Sequence, residues 1–187
     1  MKFFHIEHSQ WAYRADLGFY SAVSLVLAAM LLGFSPRDHR GLLMSLAAAG
    51  LASWSLVEYV LHRFVLHRVR PFSVWHAVHH QRPSALIGTP TLLSASLIAL
   101  FVFLPGLWAG GLWAAWAITW GLSTGYLGYG LMHHALHQKR SRFAWLRRRQ
   151  LWHARHHGAR DDPAHFGVTS AVWDHVFRSH QTEPCPP

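Results

Sequence analysis

"TLLSASLIALFVFLPGLWAGGLWAAWAITWGLSTGYLGYGLM", residues 91–132, contains no charged side chain and no histidine. The uncharged run begins earlier, at Ser84, and is 49 residues long. A bilayer-crossing helix needs about 20 apolar residues, so the run holds two. Leu104, Pro105 and Gly106 form the natural hairpin break between them, because proline and glycine punctuate helices. Working outward, 17–34 is a further uncharged stretch between Asp16 and "SPRDHR", and 42–57 is another, extended by "EYVL". The pattern predicts an all-α chain with a four-helix transmembrane bundle, its helices near 17–34, 42–61, 86–104 and 107–132, in one domain covering 1–187. The first stretch lacks a clear small-residue cleavage site and follows 16 mixed residues, so it reads as a span and not as a signal peptide.

Composition agrees. Hydrophobic residues make up 51% of the chain and charged residues 13%, and a mean hydropathy of only +0.12 reflects the 17 histidines and 17 Lys+Arg. The one cysteine, Cys185, leaves no internal disulfide and no thiolate-rich metal site. With four spans, the N-terminal region, 62–85 and the C-terminal region share one side, and they carry 15 of the 17 Lys+Arg. The positive-inside rule makes that side cytoplasmic, termini included. The formal charge of +9 raises the question of nucleic acid. The basic runs "RFVLHRVR" and "KRSRFAWLRRR" lie beside predicted spans, however, so anionic lipid headgroups are the better partner and no nucleic acid is expected.

The same side collects the histidines. His62 and His67 follow the second span; then come "WHAVHHQRP" with His76, His79 and His80, His133 and His137 at the end of the fourth span, and "WHARHH" with His153, His156 and His157. On a helix, positions i, i+3 and i+4 share a face, so each triplet aims three imidazoles one way, and His133 and His137 lie one turn apart. His62 and His67 are five apart, which an α-helix would splay, so the helix is expected to bend or end near there. Single histidines at a membrane surface are by default interfacial polar residues, and His5, His8, His39 and His180 are read so. Ten in four spaced groups are different. Protonated together they repel, and neutral each needs a partner for its ring nitrogens. A metal answers both needs, and ten ligands imply two ions. Structural zinc favours cysteine, and calcium or magnesium wants carboxylates, of which the chain has eight. Iron, zinc, copper and manganese remain.

In order, "HRFVLH" (62–67), "HAVHH" (76–80), "HHALH" (133–137) and "HARHH" (153–157) resemble the HxxxxH, HxxHH, HxxxH and HxxHH boxes of the fatty acid hydroxylase superfamily. "EYVLHR", "GYLGYGLMHHALH" and the tail "HFGVTSAVWDHVF" (165–177) extend the likeness over about 58–177. The third-box context is closest to the fatty acid 2-hydroxylase branch. Gly130 stands where that branch commonly has aspartate, and His134 where it has an aromatic.

The resemblance implies a cytoplasmic helical cap, from 62–85 and 133–180, holding a histidine-rich dimetal site of two iron ions, with zinc as the substitute expected in overproduced protein. It implies O2, a lipid substrate, and a separate electron-donor protein of ferredoxin or cytochrome b5 type, since no such domain is fused here. The implied activity is hydroxylation of a lipid C–H bond. Desaturation, or oxidation of a carotenoid or sterol, uses the same boxes, and a zinc-held structural membrane protein is the non-enzymatic alternative. The ligands are His62, His67, His76, His79, His80, His133, His137, His153, His156 and His157, with no catalytic residue beyond them and no other cofactor-binding residue. His134, His165 and His175 stand in reserve. Glu58 and Asp174 are expected either to accept the second N–H of a ligand imidazole or to pair with arginine. Tyr126, Tyr129 and the small residues of "GLSTG" (121–125) are expected to pack helices or to border an acyl chain. A membrane haem protein would need histidine pairs within the spans, and a transporter polar groups along them. Neither pattern is present, nor is a P-loop, dinucleotide fingerprint or nucleophile elbow.

Overall fold

The computed structural model describes residues 7–137, 140–158 and 163–180. His5 and Cys185 lie outside them. The described residues are helical apart from short connections and one isolated bridge between Glu7 and Ile87. The order is α1 (Gln10–Phe34), α2 (Arg40–Val60), a π turn (Leu61–Leu66), α3 (Phe72–Gln81), α4 (Thr91–Ile98), a second π turn (Ala99–Phe103), α5 (Leu104–Leu136), α6 (Ala144–Gly158) and α7 (Val172–Val176). Among the described residues three helical stretches are long and apolar enough to cross a membrane, Gln10–Phe34, Arg37–Leu66 and Thr91–Leu136. Large apolar side chains such as Leu25, Leu32, Leu92, Phe101 and Trp108 point outward from them. Such faces suit lipid, which solvates them as water would not.

The break in the long uncharged run is not where the sequence places it. The helix continues through Pro105, and the chain leaves helical geometry at Gly111, with φ 74° and ψ −176°. A proline inside a helix removes one N–H and crowds the carbonyl four residues back. Here the π turn at Ala99–Phe103 precedes it, and the wider turn makes room for the ring. Gly111 takes the left-handed region that glycine enters without steric cost. The arms then fold back closely. A Cβ at Gly106 would lie 3.1 Å from Ala115 Cα, and one at Gly110 2.7 Å from Ala114 Cβ. The arms are therefore 91–110 and 112–136, each at least about 30 Å long at 1.5 Å per residue. The run folds into two arms whose boundaries differ from the expected 86–104 and 107–132, and where four spans are expected the described residues hold three candidate stretches.

Two compact units make up the chain. The first comprises 7–54 and 85–130. Ser9 caps α1 by accepting the Ala12 N–H at 3.1 Å. Within this unit Thr91 Oγ1 donates to Asp16 Oδ1 at 2.6 Å, and Trp120 Nε1 donates to the Ser24 carbonyl at 2.9 Å. The glycines of 121–125 serve close packing. A Cβ at Gly121 would meet the Ala47 carbonyl oxygen at 2.0 Å, and one at Gly125 would meet Trp54 Cβ at 2.4 Å. Small residues spaced four apart let membrane helices touch backbone to backbone. Tyr126 packs edge-on against Tyr20 and Trp54, with ring centroids 4.6 and 5.3 Å away, and Tyr129 also lies against Trp54. Both tyrosines are packing residues.

The second unit comprises 55–84 and the described residues from 131 to 180. It holds the π turn at 61–66, α3, α6, α7 and the end of α5, and with them every histidine of the four boxes.

Candidate metal centre

Local geometry aims the imidazoles inward. A π turn closes from i to i+5 instead of i to i+4. The turn at Leu61–Leu66 therefore brings His62 and His67 onto one side, with ring centroids 5.3 Å apart. The helix ends there as expected, at Leu66 with His67 as its C-cap, and the wider last turn lets residues five apart converge. On α3, α6 and the end of α5, the i and i+4 pairs 76/80, 153/157 and 133/137 align by ordinary α-helical spacing.

The ten histidines gather into two groups of five. One contains His62, His67, His76, His80 and His156, and the other His79, His133, His137, His153 and His157; within each, the candidate ligand atoms lie within 4.8 Å of one another. In the first group His76 Nε2 is 3.0 Å from His62 Nε2, 3.1 Å from His67 Nε2 and 3.1 Å from His80 Nε2, and His67 Nε2 is 3.2 Å from His156 Nε2. In the second, His137 Nε2 is 3.2 Å from His133 Nε2 and 3.0 Å from His153 Nε2, which is 3.1 Å from His157 Nε2. The groups adjoin: the His80 and His157 rings stack with centroids 4.3 Å apart.

Hydrogen bonding among the rings cannot account for this. A neutral imidazole carries one N–H, so His76 Nε2 can donate to no more than one of its three neighbours. Shared protons fail too. Burial, followed by neighbouring imidazole charge, pushes His67 and His137 down to about 4, His79 to about 3 and His157 to about 2. His153 lies well below the ordinary histidine range for the same reasons. The rings are neutral near pH 7, the form in which imidazole binds metal.

The chain behind the first group fixes two tautomers. His62 Nδ1–H donates to the Phe166 carbonyl at 2.5 Å, and His156 Nδ1–H donates to the Ala164 carbonyl at 2.7 Å. A carbonyl only accepts, so Nε2 of both rings presents its lone pair. The accepting segment is itself held. Phe166 N–H and Gly167 N–H donate to Asp174 Oδ1 and Oδ2, each at 2.8 Å. Val168 N–H and Thr169 N–H donate to Glu58 Oε1 at 2.6 and 2.9 Å, and the Thr169 hydroxyl donates to Glu58 Oε2. Arg149 donates to the Gly167 and Val168 carbonyls at 2.6 and 2.9 Å, and Trp152 Nε1 donates to Asp174 Oδ2 at 3.2 Å. Among the described residues Glu58 and Asp174 thus neither receive a ligand N–H nor pair directly with arginine; they hold the backbone of 166–169, to which the Phe166 carbonyl belongs. Gly167 is required there, since a Cβ would fall 1.9 Å from the Ser170 carbonyl oxygen. The Phe166 ring lies against His62, His67 and His156.

The reserve histidines stay apart from both groups. His134 is exposed. His165, at φ 59°, packs on Trp152 with centroids 4.3 Å apart, and His175 lies against His180 at 4.5 Å. His8 Nε2 is 3.3 Å from the Gly88 carbonyl oxygen, His39 lies 3.5 Å from Asp38, and His180 Nδ1 donates to the Asp174 carbonyl at 3.1 Å. The roles of the Ala164 and Phe166 carbonyls, Arg149 and Trp152 escape a reading of the boxes. The signal was "FGVTS" followed by "WD", a tail with more specificity than a loop requires.

The chain is similar to known proteins over most of its length. The family model described as fatty acid hydroxylase matches residues 47–179. The dihydroceramide fatty acyl 2-hydroxylase FAH2 of Arabidopsis thaliana is 32% identical over 143 residues, covering 71% of this chain and 59% of that protein. The ceramide very long chain fatty acid hydroxylase SCS7 of Saccharomyces cerevisiae is 33% identical over 156 residues, covering 72% and 38%. This chain thus spans less than two thirds of either relative. The solved structure of full-length scs7p, in which the hydroxylase domain is visible, superimposes with a TM-score of 0.78 at 24% identity, over 94% of this chain and 69% of that one. With four histidine boxes folded into two groups and a family match over most of its length, the chain belongs to the fatty acid hydroxylase family.

Proposed function

We propose that this protein is an O2-dependent di-iron monooxygenase that hydroxylates the acyl chain of a membrane lipid, and that the ten box histidines are its metal ligands. The observation that carries the reading is the spacing of the donors. Two nitrogens bound at about 2.1 Å and at right angles lie about 3.0 Å apart, whereas tetrahedral angles separate them by about 3.4 Å. The separations of 3.0–3.2 Å fit the right-angle case. Five imidazoles per group exceed the four ligands of structural zinc. They suit an ion that takes five or six ligands and leaves a position for O2, and iron is such an ion with imidazole affinity.

Iron bound there would supply O2 activation, so that R–H, O2, two electrons and two protons become R–OH and water. The chain's own work is positioning. His62 and His156 keep Nε2 bare through their Nδ1–H bonds to Phe166 and Ala164. Asp174 holds the peptide of the Phe166 carbonyl, and Glu58 and Arg149 hold the following residues 167–169. The His165 N–H on the Ser179 carbonyl holds the peptide of Ala164, and Phe166 shields three ligands from water. The named activities of the relatives point to a fatty acyl chain, as free acid or ceramide, and to its 2-position. The electrons come from a separate ferredoxin or cytochrome b5 type donor. The basic segments 62–85 and 139–178 support a cytoplasmic face for the termini and both groups in a four-span bundle.

Lipid mass spectrometry of aerated cells expressing the wild type and His156→Ala tests this. A lipid heavier by one oxygen atom, absent from the variant, is the expected result. A lipid lighter by two hydrogens would make the protein a desaturase. No difference, after donor and acyl substrates are supplied, would leave a non-catalytic metal protein.

A further inference from the structure

The two groups of five differ in what stands behind them. In the first, the His62 N–H meets the Phe166 carbonyl, whose peptide Asp174 holds through the Gly167 N–H, and the His156 N–H meets the Ala164 carbonyl, whose peptide is held by the His165 N–H on the Ser179 carbonyl. In the second, Nδ1 of His79, His153 and His157 is buried and has no hydrogen-bond partner among the described residues. Binding metal through Nε2 leaves the proton of a neutral imidazole on Nδ1. Each of these three nitrogens is then a buried donor with no acceptor. An acceptor behind a ligand imidazole raises its basicity and fixes its direction, and losing one costs about 10–100-fold in metal affinity. Among the described residues no carbonyl meets these three nitrogens as those of Ala164 and Phe166 meet His156 and His62.

We propose that the two centres hold metal unequally. The group of His79, His133, His137, His153 and His157 is the labile centre, which loses its ion first and fills last; the group of His62, His67, His76, His80 and His156 keeps its ion. This rests on the reading that both groups bind iron.

The test follows iron release from detergent-purified, anaerobically iron-loaded protein in excess ferrous chelator, with bound iron counted by elemental mass spectrometry. Two ions per chain should leave in two phases, one at least about tenfold faster than the other. His153→Ala should start with one ion and show the slow phase alone, and His62→Ala should show the fast phase alone. Asp174→Asn, which keeps the side chain's shape, should accelerate the slow phase and leave the fast one unchanged, so the assignment does not depend on the ligand variants folding. Two ions leaving at a single rate would overturn the proposal while the two-iron reading stands, and so would a fast phase that survives in His153→Ala. Fewer than two ions per wild-type chain at every ferrous concentration used for loading, up to saturation, would overturn both.

Discussion

The triplets at 76–80 and 153–157 are written alike and used in mirror image. His76 and His80, one helical turn apart, serve the first group, and His79 serves the second. On α6 the pair is His153 and His157, which serve the second group, and His156 crosses to the first. Adjacent helix positions point about 100° apart, so the paired histidines closing each triplet can reach into different groups. A single HxxHH helix therefore does not build one site. It ties two histidine groups together, and each helix lends its middle histidine to the group anchored by the other.

The crossing residues give the largest predicted effects. His79→Ala and His156→Ala should each reduce product by more than about 100-fold, since a direct ligand counts for more than its supporting partner. They should remove opposite ions: His156→Ala that of the first group, His79→Ala that of the second. Counting bound iron and following the release rate of the ion that remains checks both halves. If both variants lost the same ion, the mirror arrangement would be wrong.

A smaller effect should come from the backbone behind the first group alone. Gly167→Ala places a methyl 1.9 Å from the Ser170 carbonyl oxygen and 2.9 Å from Asp174 Oδ2. The segment must shift, at a cost of about 1–3 kcal/mol of stability, and the Phe166 carbonyl moves with it. Thermal unfolding should occur at lower temperature, and iron loss should be confined to one ion per chain. Glu58→Gln is gentler. It preserves size but sets an amide N–H₂ against donors that now share two carboxylate oxygens. Affinity of the first centre for iron should fall about 10–100-fold, with the second unchanged; equal weakening of both would break the asymmetry between them.

The fold and the site were legible wherever simple helical arithmetic applies. The uncharged run announced a long apolar helical stretch, and spacing of four announced the pairs 76/80, 133/137 and 153/157; the expectation that each triplet aims three imidazoles one way fails, because His79 and His156 enter the other group. Arithmetic failed where the helix itself changes. His62 and His67 meet through a π turn, which no propensity in "LHRFVL" announces, and a similar turn before Pro105 moves the hairpin break to Gly111. Glu58 and Asp174 were recognisable as important but not in their role, because their partners are backbone N–H groups more than 100 residues away for Glu58 and seven or eight away for Asp174. The division of each triplet depends on which side of a helix the next helix approaches, and one helix's spacing does not contain that.

The smallest effect belongs to His134, and it tests the arithmetic most sharply. It is adjacent in sequence to His133, as His79 is to His80, and by sequence alone either pair could divide between the two groups. His79 and His80 do so; His133 joins the second group, and His134 is exposed and belongs to neither. The difference is packing: α3 has candidate ligands gathered on both sides of its histidine face, whereas His134 faces away from the groups. An exposed side chain that is not a ligand changes stability by about 0.5 kcal/mol or less, roughly a twofold effect on an equilibrium. His134→Ala should therefore keep two irons and wild-type product within about twofold, while His133→Ala loses the ion of the second group. Loss of iron in His134→Ala would mean that the end of α5 is turned by one residue from its place here, and that both residues compete for one ligand position.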